Sequence, residues 1–210
     1  MNIVREGFPY IIVPLVLAVA TALLGFWYTG FLYAGLALLV LAAFMAYFFR
    51  DPKRVPPDDA SLVLSPADGK VTRIKRMSEE PDAPTLVSIF LSPLDVHINR
   101  APIQGRITDM IYARGKFLMA TNETASLVNE QNSLTIEGEK ITVVCKQIAG
   151  ILARRIVCWK KKGDTLSLGE RFGMIKFSSR TDLLLPPNVQ VLVTEGSRVR
   201  GGATVIGRIL

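Results

Sequence analysis

The chain has 210 residues, half of them apolar and a fifth charged, with a net charge of +7, totals that would fit one globular domain. Their distribution excludes it: residues 1–50 carry only Arg5, Glu6 and Arg50 as charged side chains. A disordered chain is excluded too, as is a disulfide-built secreted module, since two cysteines cannot make a framework. What remains is a membrane-attached protein with a basic domain of about 160 residues, long enough for its own core.

From Tyr10 to Phe49 there is no Asp, Glu, Lys, Arg or His. That is twice the roughly 20 residues needed to cross a hydrocarbon core. Two spans are expected, near Tyr10–Gly25 and Phe31–Phe49, broken at Gly25-Phe-Trp-Tyr-Thr-Gly30, whose aromatics suit a headgroup interface. Arg5 precedes the first span and Arg50, Lys53 and Arg54 follow the second, so the positive-inside bias puts both ends in the cytoplasm, on the inner membrane. Pro14 and the short first span leave open a hairpin that enters one leaflet and returns. A cleaved signal peptide is disfavoured, because the apolar run is too long and no small-residue cleavage site follows it. On this reading residues 1–50 are the anchor, 51–60 a Pro-rich linker and 61–210 a cytoplasmic domain. Cys145 and Cys158 then read as reduced thiols in buried strands, with no Cys or His at metal-ligand spacing.

After the linker the chain breaks into short β-branched runs separated by Gly, Pro, Asn and Asp. They are Ser61–Leu64, Gly69–Ile74, Thr85–Leu91, Gly105–Ile111, Ser133–Ile136, Lys140–Ile148, Arg154–Trp159, Thr165–Leu168, Met174–Phe177, Thr181–Leu185 and Val189–Thr194. This spacing predicts an all-β sandwich or barrel. Only Phe117–Glu130 could form a short helix or an ordered loop. The tail, Glu195 to Gly207, resembles the closing hairpin of biotinyl/lipoyl-type barrels but carries no lysine of the kind those domains modify.

Three places could do chemistry. His97 is the only histidine and sits at a strand end before a proline-containing turn; a lone histidine is more often structural. Asp68 lies in Ser65-Pro-Ala-Asp-Gly-Lys70, where Asp-Gly also serves a tight turn. Ser178-Ser179 is a polar pair between two expected strands, which alone says little.

Taken in order, Ser65-Pro-Ala-Asp-Gly-Lys70, Leu91-Ser-Pro-Leu-Asp-Val-His-Ile-Asn-Arg-Ala-Pro102 and Gly169-Glu-Arg-Phe-Gly-Met-Ile-Lys-Phe-Ser-Ser-Arg180 resemble the phosphatidylserine decarboxylase proenzymes in their short bacterial and archaeal form. The similarity extends to Gln147–Ile156 and to Asn129-Glu-Gln-Asn132. The resemblance implies a pyruvoyl enzyme that cuts itself between residues 178 and 179 and converts phosphatidylserine to phosphatidylethanolamine and CO2. Asp68, His97 and Ser179 match the family's self-processing triad, with Ser179 the precursor of the pyruvoyl group. In that scheme His97, oriented by Asp68, takes the proton of Ser179, whose oxygen attacks the carbonyl of residue 178. The implied partners are phosphatidylserine in the membrane and the chain's own two fragments, with room for a homo-oligomer; neither metal nor nucleic acid is expected. The family has Gly-Ser at the scissile bond, whereas this chain has Ser178-Ser179, and serine adds a Cβ where glycine leaves the carbonyl open. Two rivals stand beside this reading: a membrane-tethered β-barrel adaptor without activity, and a pyruvoyl decarboxylase for another amine.

Overall fold

The computed structural model describes residues 2–119, 124–151, 155–177 and 179–210. The chain divides into two compact units, Met1–Lys53 and Arg54–Leu210.

In the first unit a two-residue strand β1 (Asn2–Ile3) pairs antiparallel with β2 (Arg50–Asp51), closing a helical hairpin of α1 (Phe8–Leu24) and α2 (Gly30–Phe48). Both helices are long and apolar enough to cross a membrane. They start and stop one or two residues ahead of the expected spans, about a turn at Gly25–Thr29. Pro9 occupies the first turn of α1, where its missing N–H is harmless. Pro14 lies inside the helix, which continues past it. Gly35 lets the pair approach closely: a Cβ there would stand 3.1 Å from Thr21 Oγ1 and 3.2 Å from the Ala18 carbonyl. Outward-facing residues such as Val16 and Leu36 are exposed apolar side chains, a surface that suits lipid and indicates membrane association.

The second unit begins with β3 (Leu62–Leu64), β4 (Gly69–Arg76), β5 (Thr85–Leu91), β6 (Ile98–Arg100) and β7 (Gly105–Ala113). A one-turn helix α3 (Ala125–Val128) precedes β8 (Gln131–Glu137), β9 (Thr142–Ala149), β10 (Ile156–Cys158), β11 (Thr165–Leu166) and β12 (Arg171–Ile175). The chain closes with β13 (Ser179–Leu185), β14 (Val189–Val191), β15 (Arg198–Val199) and β16 (Val205–Ile209). Eight strands form one antiparallel sheet in the order β11-β7-β8-β9-β13-β5-β4-β15, curled into a half-barrel. Two three-stranded sheets, β10-β12-β6 and β14-β16-β3, complete the unit. The core lies on one face of the large sheet, where Val87, Ile89, Leu134, Ile136, Cys145, Leu183 and Leu185 alternate with residues of the other face.

The expected β domain behind a helical hairpin is present, with adjustments. Strand β6 was not expected, because three residues before Pro102 are too short a run to stand out. Ser179 opens β13 instead of lying between strands, since both β5 and β9 pair with it. Of the 117–130 stretch, only α3 is helical among the described residues. Cys145 is fully buried and burial pushes its thiol far up; Cys158 is half-buried and raised for the same reason, so neither is a reactive thiolate near neutral pH.

Candidate active site

Strand β13 runs through the middle of the large sheet, and its inward stripe is Leu185, Leu183, Thr181, Ser179. The neighbouring stripes change character at the same level. On β9 the inward residues Val143 and Cys145 give way to Gln147 and Ala149, and on β8 Ile136 and Leu134 give way to Asn132. Thus one aliphatic layer becomes a buried amide layer, and Ser179 lies one step beyond it. The amides satisfy one another. Asn132 Nδ2 donates to Gln147 Oε1 at 3.0 Å, Gln147 Nε2 to Asn99 Oδ1 at 2.9 Å, and Asn99 Nδ2 to Thr181 Oγ1 at 2.9 Å. A buried polar chain of this kind fixes one register, because every alternative leaves an amide unpaired.

The last bond brings β6 to β13. Two residues back from Asn99 is His97, just ahead of β6, and two residues back from Thr181 is Ser179, which opens β13. The Ile175 N–H donates to the His97 carbonyl at 3.2 Å, which puts His97 where β12 ends, and the chain re-enters the large sheet at Ser179. Both side chains are buried, His97 at 1% exposure and Ser179 at 0%. The Ser179 hydroxyl has no hydrogen-bond partner among the described residues. A buried hydroxyl without one costs about 1–3 kcal/mol, a cost that a reactive group can justify and a structural one cannot.

His97 Nδ1 lies 3.0 Å from the Asp95 carbonyl, which can only accept. The proton of a neutral imidazole is thereby held on Nδ1, leaving the Nε2 lone pair as a base. The group that faces Nδ1 is thus a backbone carbonyl and not the carboxylate of Asp68, to which the family resemblance gives the orienting part. Asp68 itself binds Arg54 Nη2 through Oδ2 at 2.6 Å and the Gly201 N–H through Oδ1 at 2.8 Å. Burial pushes its carboxyl above the usual range, while Arg54 and the Gly201 N–H oppose the rise. The pairing of Lys70 with Phe90, and of Ser179 with Leu91, puts Asp68 at the same end of the sheet as Ser179. It stands two strand positions away, about 10 Å on a flat sheet.

Ser178 lies outside the described residues. Next to it Phe177 has φ of 60°, the one positive-φ residue other than glycine among those described. Such a conformation costs on the order of 1–3 kcal/mol and stores strain beside the bond expected to break. Among the described residues no cluster of His, Cys, Asp or Glu could hold a metal ion.

Sequence reasoning missed Arg54, Asp95, Asn99 and Gln147. For Gln147 a signal was present: it continues the inward period of Val143 and Cys145 in a strand whose other face is also partly covered. Asn129, noted without a role, donates to the carbonyls of Leu118 and Ala149 and accepts from the Leu118 N–H, tying a loop to the residue beside Ser179.

Residues 41–207 match the sequence profile of the family described as phosphatidylserine decarboxylase. Several curated relatives are named phosphatidylserine decarboxylase proenzyme. That of Carboxydothermus hydrogenoformans is 44% identical, covering 98% of this chain and 95% of its own. The Symbiobacterium thermophilum protein is 47% identical over 99% and 95%, and that of Solibacter usitatus 46% over 100% and 98%. With the profile spanning most of the chain and relatives of this identity aligned along nearly its full length, the chain belongs to the phosphatidylserine decarboxylase family.

Proposed function

We propose that this chain is a proenzyme that cuts itself between Ser178 and Ser179 and then decarboxylates phosphatidylserine to phosphatidylethanolamine. The observation that carries the proposal is the Asn99–Thr181 bond, which ties the segment two residues from His97 to the strand that Ser179 opens, in a chain of this family.

His97 Nε2 takes the Ser179 hydroxyl proton, and the freed oxygen attacks the carbonyl carbon of residue 178. The C–N bond of that peptide breaks as the C–O bond forms, so the link becomes an ester and the nitrogen of residue 179 becomes an amine. Removal of the Ser179 α-proton then expels the carboxylate of residue 178. This leaves dehydroalanine at position 179, which water converts to a pyruvoyl group with loss of ammonia. The site fits that group, because Ser179 is a chain position held on both sides by β5 and β9 and not a mobile tip. When formed, the pyruvoyl group supplies an electron sink for the pair released as CO2 departs. His97 would then return a proton to the substrate carbon, and the buried walls around it would exclude water.

The finer organisation follows the same reading. Residues 1–50 anchor the chain with both ends on the cytoplasmic side of the inner membrane, and residues 61–210 are the catalytic domain, with a closing hairpin of biotinyl/lipoyl type. Phosphatidylserine and the two fragments, held together by the sheet, are its partners; residues 1–178 and 179–210 are expected to copurify.

Intact-mass measurement of the purified chain tests this. Fragments of 1–178 and 179–210 are expected, the smaller beginning in a pyruvoyl group, and both Ser179→Ala and His97→Ala should remain whole. Cutting in either variant would refute the assigned roles. Carbon dioxide release from phosphatidylserine vesicles and not from free serine separates the lipid substrate from other amines.

A further inference from the structure

The end of the large sheet that holds Ser179 also carries a concentration of exposed apolar side chains. Ser179 pairs with Ala149. The Ala149 N–H donates to the Glu130 carbonyl at 2.9 Å and its carbonyl accepts from Asn129 at 2.7 Å. The Lys116 N–H donates in turn to the Val128 carbonyl at 2.7 Å, and the Glu130 N–H to the Lys116 carbonyl at 3.0 Å. Three segments are therefore laced together beside Ser179: the one around Lys116, the one from α3 to Glu130, and the one leaving β9. Each presents large apolar side chains to the outside. Leu127 is 78% exposed, Met119 61%, Ile151 56% and Val128 37%.

Exposed apolar residues scattered singly need no explanation, but four on adjoining segments beside Ser179 do. Exposed cations Arg114, Lys116 and Arg155 flank them, against one acid among the described residues of these segments, Glu130, whose carboxylate accepts from Tyr112. Apolar tips ringed by Lys and Arg are the composition of a surface that dips into an anionic bilayer at headgroup depth. We infer that Met119, Leu127, Val128 and Ile151 form a lip that inserts into the bilayer surface, so that a lipid headgroup reaches Ser179 while its acyl chains stay in the membrane. This deepens the proposed function and rests on it for the lipid nature of the surface.

The test uses the full chain in vesicles of phosphatidylcholine and phosphatidylglycerol. An environment-sensitive fluorophore is attached at Leu127→Cys, at Ile151→Cys and at Glu79→Cys. Glu79 is exposed in the β4–β5 turn, which the pairing of Arg76 with Thr85 puts at the opposite end of the sheet. The unsubstituted chain, with Cys145 and Cys158, serves as blank. Probes at 127 and 151 are expected to brighten and to be quenched by lipid-borne quenchers, and the probe at 79 to remain in water. Lip probes that stay in water, or that are shielded equally without vesicles as in a second-copy or protein interface, overturn the inference. A kinetic arm separates this result from the activity. Leu127→Asp with Ile151→Asp should raise KM on vesicular phosphatidylserine about tenfold or more, the scale of losing apolar insertion and adding charge. Turnover of a water-soluble short-chain phosphatidylserine should change less than threefold. An equal loss on both substrates counts against a lip. Absence of decarboxylation in every form would remove the proposed activity, while the fluorophore result would still decide the insertion.

Discussion

The guanidinium of Arg54 donates to the Asp68 carboxylate at 2.6 Å, in a pair whose side chains are only 13% and 14% exposed. Arg54 thus meets a residue marked by the family resemblance, although sequence reasoning counted it only among the cations that set membrane orientation. With the Gly201 N–H on the other oxygen, Asp68 is fixed in place and its charge is balanced; Asp95 nearby works in the opposite direction. Arg198, Arg200 and Thr204 line a cleft of about 610 Å³ that opens against the same two acids.

From this pair follows a pH prediction with two opposite signs. Burial raises the Asp68 pKa and Arg54 restrains it, so Arg54→Ala should let it climb further. If the ionised carboxylate supports self-cutting, the rate falls as pH drops through that pKa, and the fall should begin at higher pH in Arg54→Ala, with Arg54→Lys between. Stability runs the other way. A carboxyl whose folded pKa is above its unfolded value contributes fully below the unfolded pKa, and that contribution is lost as pH rises through the folded one. Fragment yield against pH, beside melting temperature against pH, checks both; identical pH profiles in parent and variant would contradict the assigned part of Arg54.

A second prediction concerns the amide chain. Gln147→Ala removes the bonds that Asn99 Oδ1 and Asn132 Nδ2 make to this side chain, at about 1–3 kcal/mol for each buried group left unpaired. For a unit of this size each kcal/mol lowers the melting temperature by roughly 2–4 °C. Because Asn99 ties the segment after His97 to β13, processing should slow as well. In a double-mutant cycle, adding Asn99→Ala should cost less than the sum of the two single changes.

Much of this was legible in the chain, and what was not has physical reasons. The apolar hairpin announces itself because forty residues without a charge have few other uses. His97 stands out as the only histidine, whereas Ser179 is one serine among eleven and is marked only by the order of the motifs around it. Asn99, Asn132 and Gln147 are not, since a polar residue in a β run reads as outward-facing until the pairing shows that it shares the stripe of Leu134 or Cys145. Arg54 in a linker looks like any solvated cation, and only the fold brings it to Asp68 across fourteen residues.

A third prediction lies on the opposite face of β13. Arg180 binds both oxygens of Asp182, at 2.6 and 2.7 Å, with exposures of 6% and 2%. Removing one partner strands a buried charge, so Arg180→Met or Asp182→Leu alone should destabilise by about 3–5 kcal/mol. The double change should recover most of that loss, since burying two apolar groups needs no pairing. Arg180 follows the residue that heads the new chain after cutting, so the single variants should also loosen the 179–210 fragment. Denaturant unfolding of the cut protein, with fragment retention on a column, measures both effects, and additive losses in the double variant would exclude the coupling.

The last prediction concerns position 178. If the Ser178 side chain hinders the acyl shift, Ser178→Gly should cut faster, because glycine removes the Cβ and takes positive φ without the roughly 1 kcal/mol or more charged to other residues. The neighbour makes the point sharper: Phe177 already holds φ at 60°, so the chain approaches the scissile bond in a conformation that L residues resist, and a flexible next residue would let the carbonyl turn toward Ser179. A competing route has Ser178 attack the carbonyl of Phe177, which shifts the cut by one residue. Fragment length separates the two, since attack by Ser179 yields residues 179–210, 32 in all, and attack by Ser178 yields 178–210, 33 in all. Glycine at 178 abolishes the second route and should leave only the 32-residue fragment, at a higher rate. Equal rates with Gly and Ser, and a cut before Ser179 in both, would mean that the β13 frame sets the geometry and that the added Cβ is tolerated.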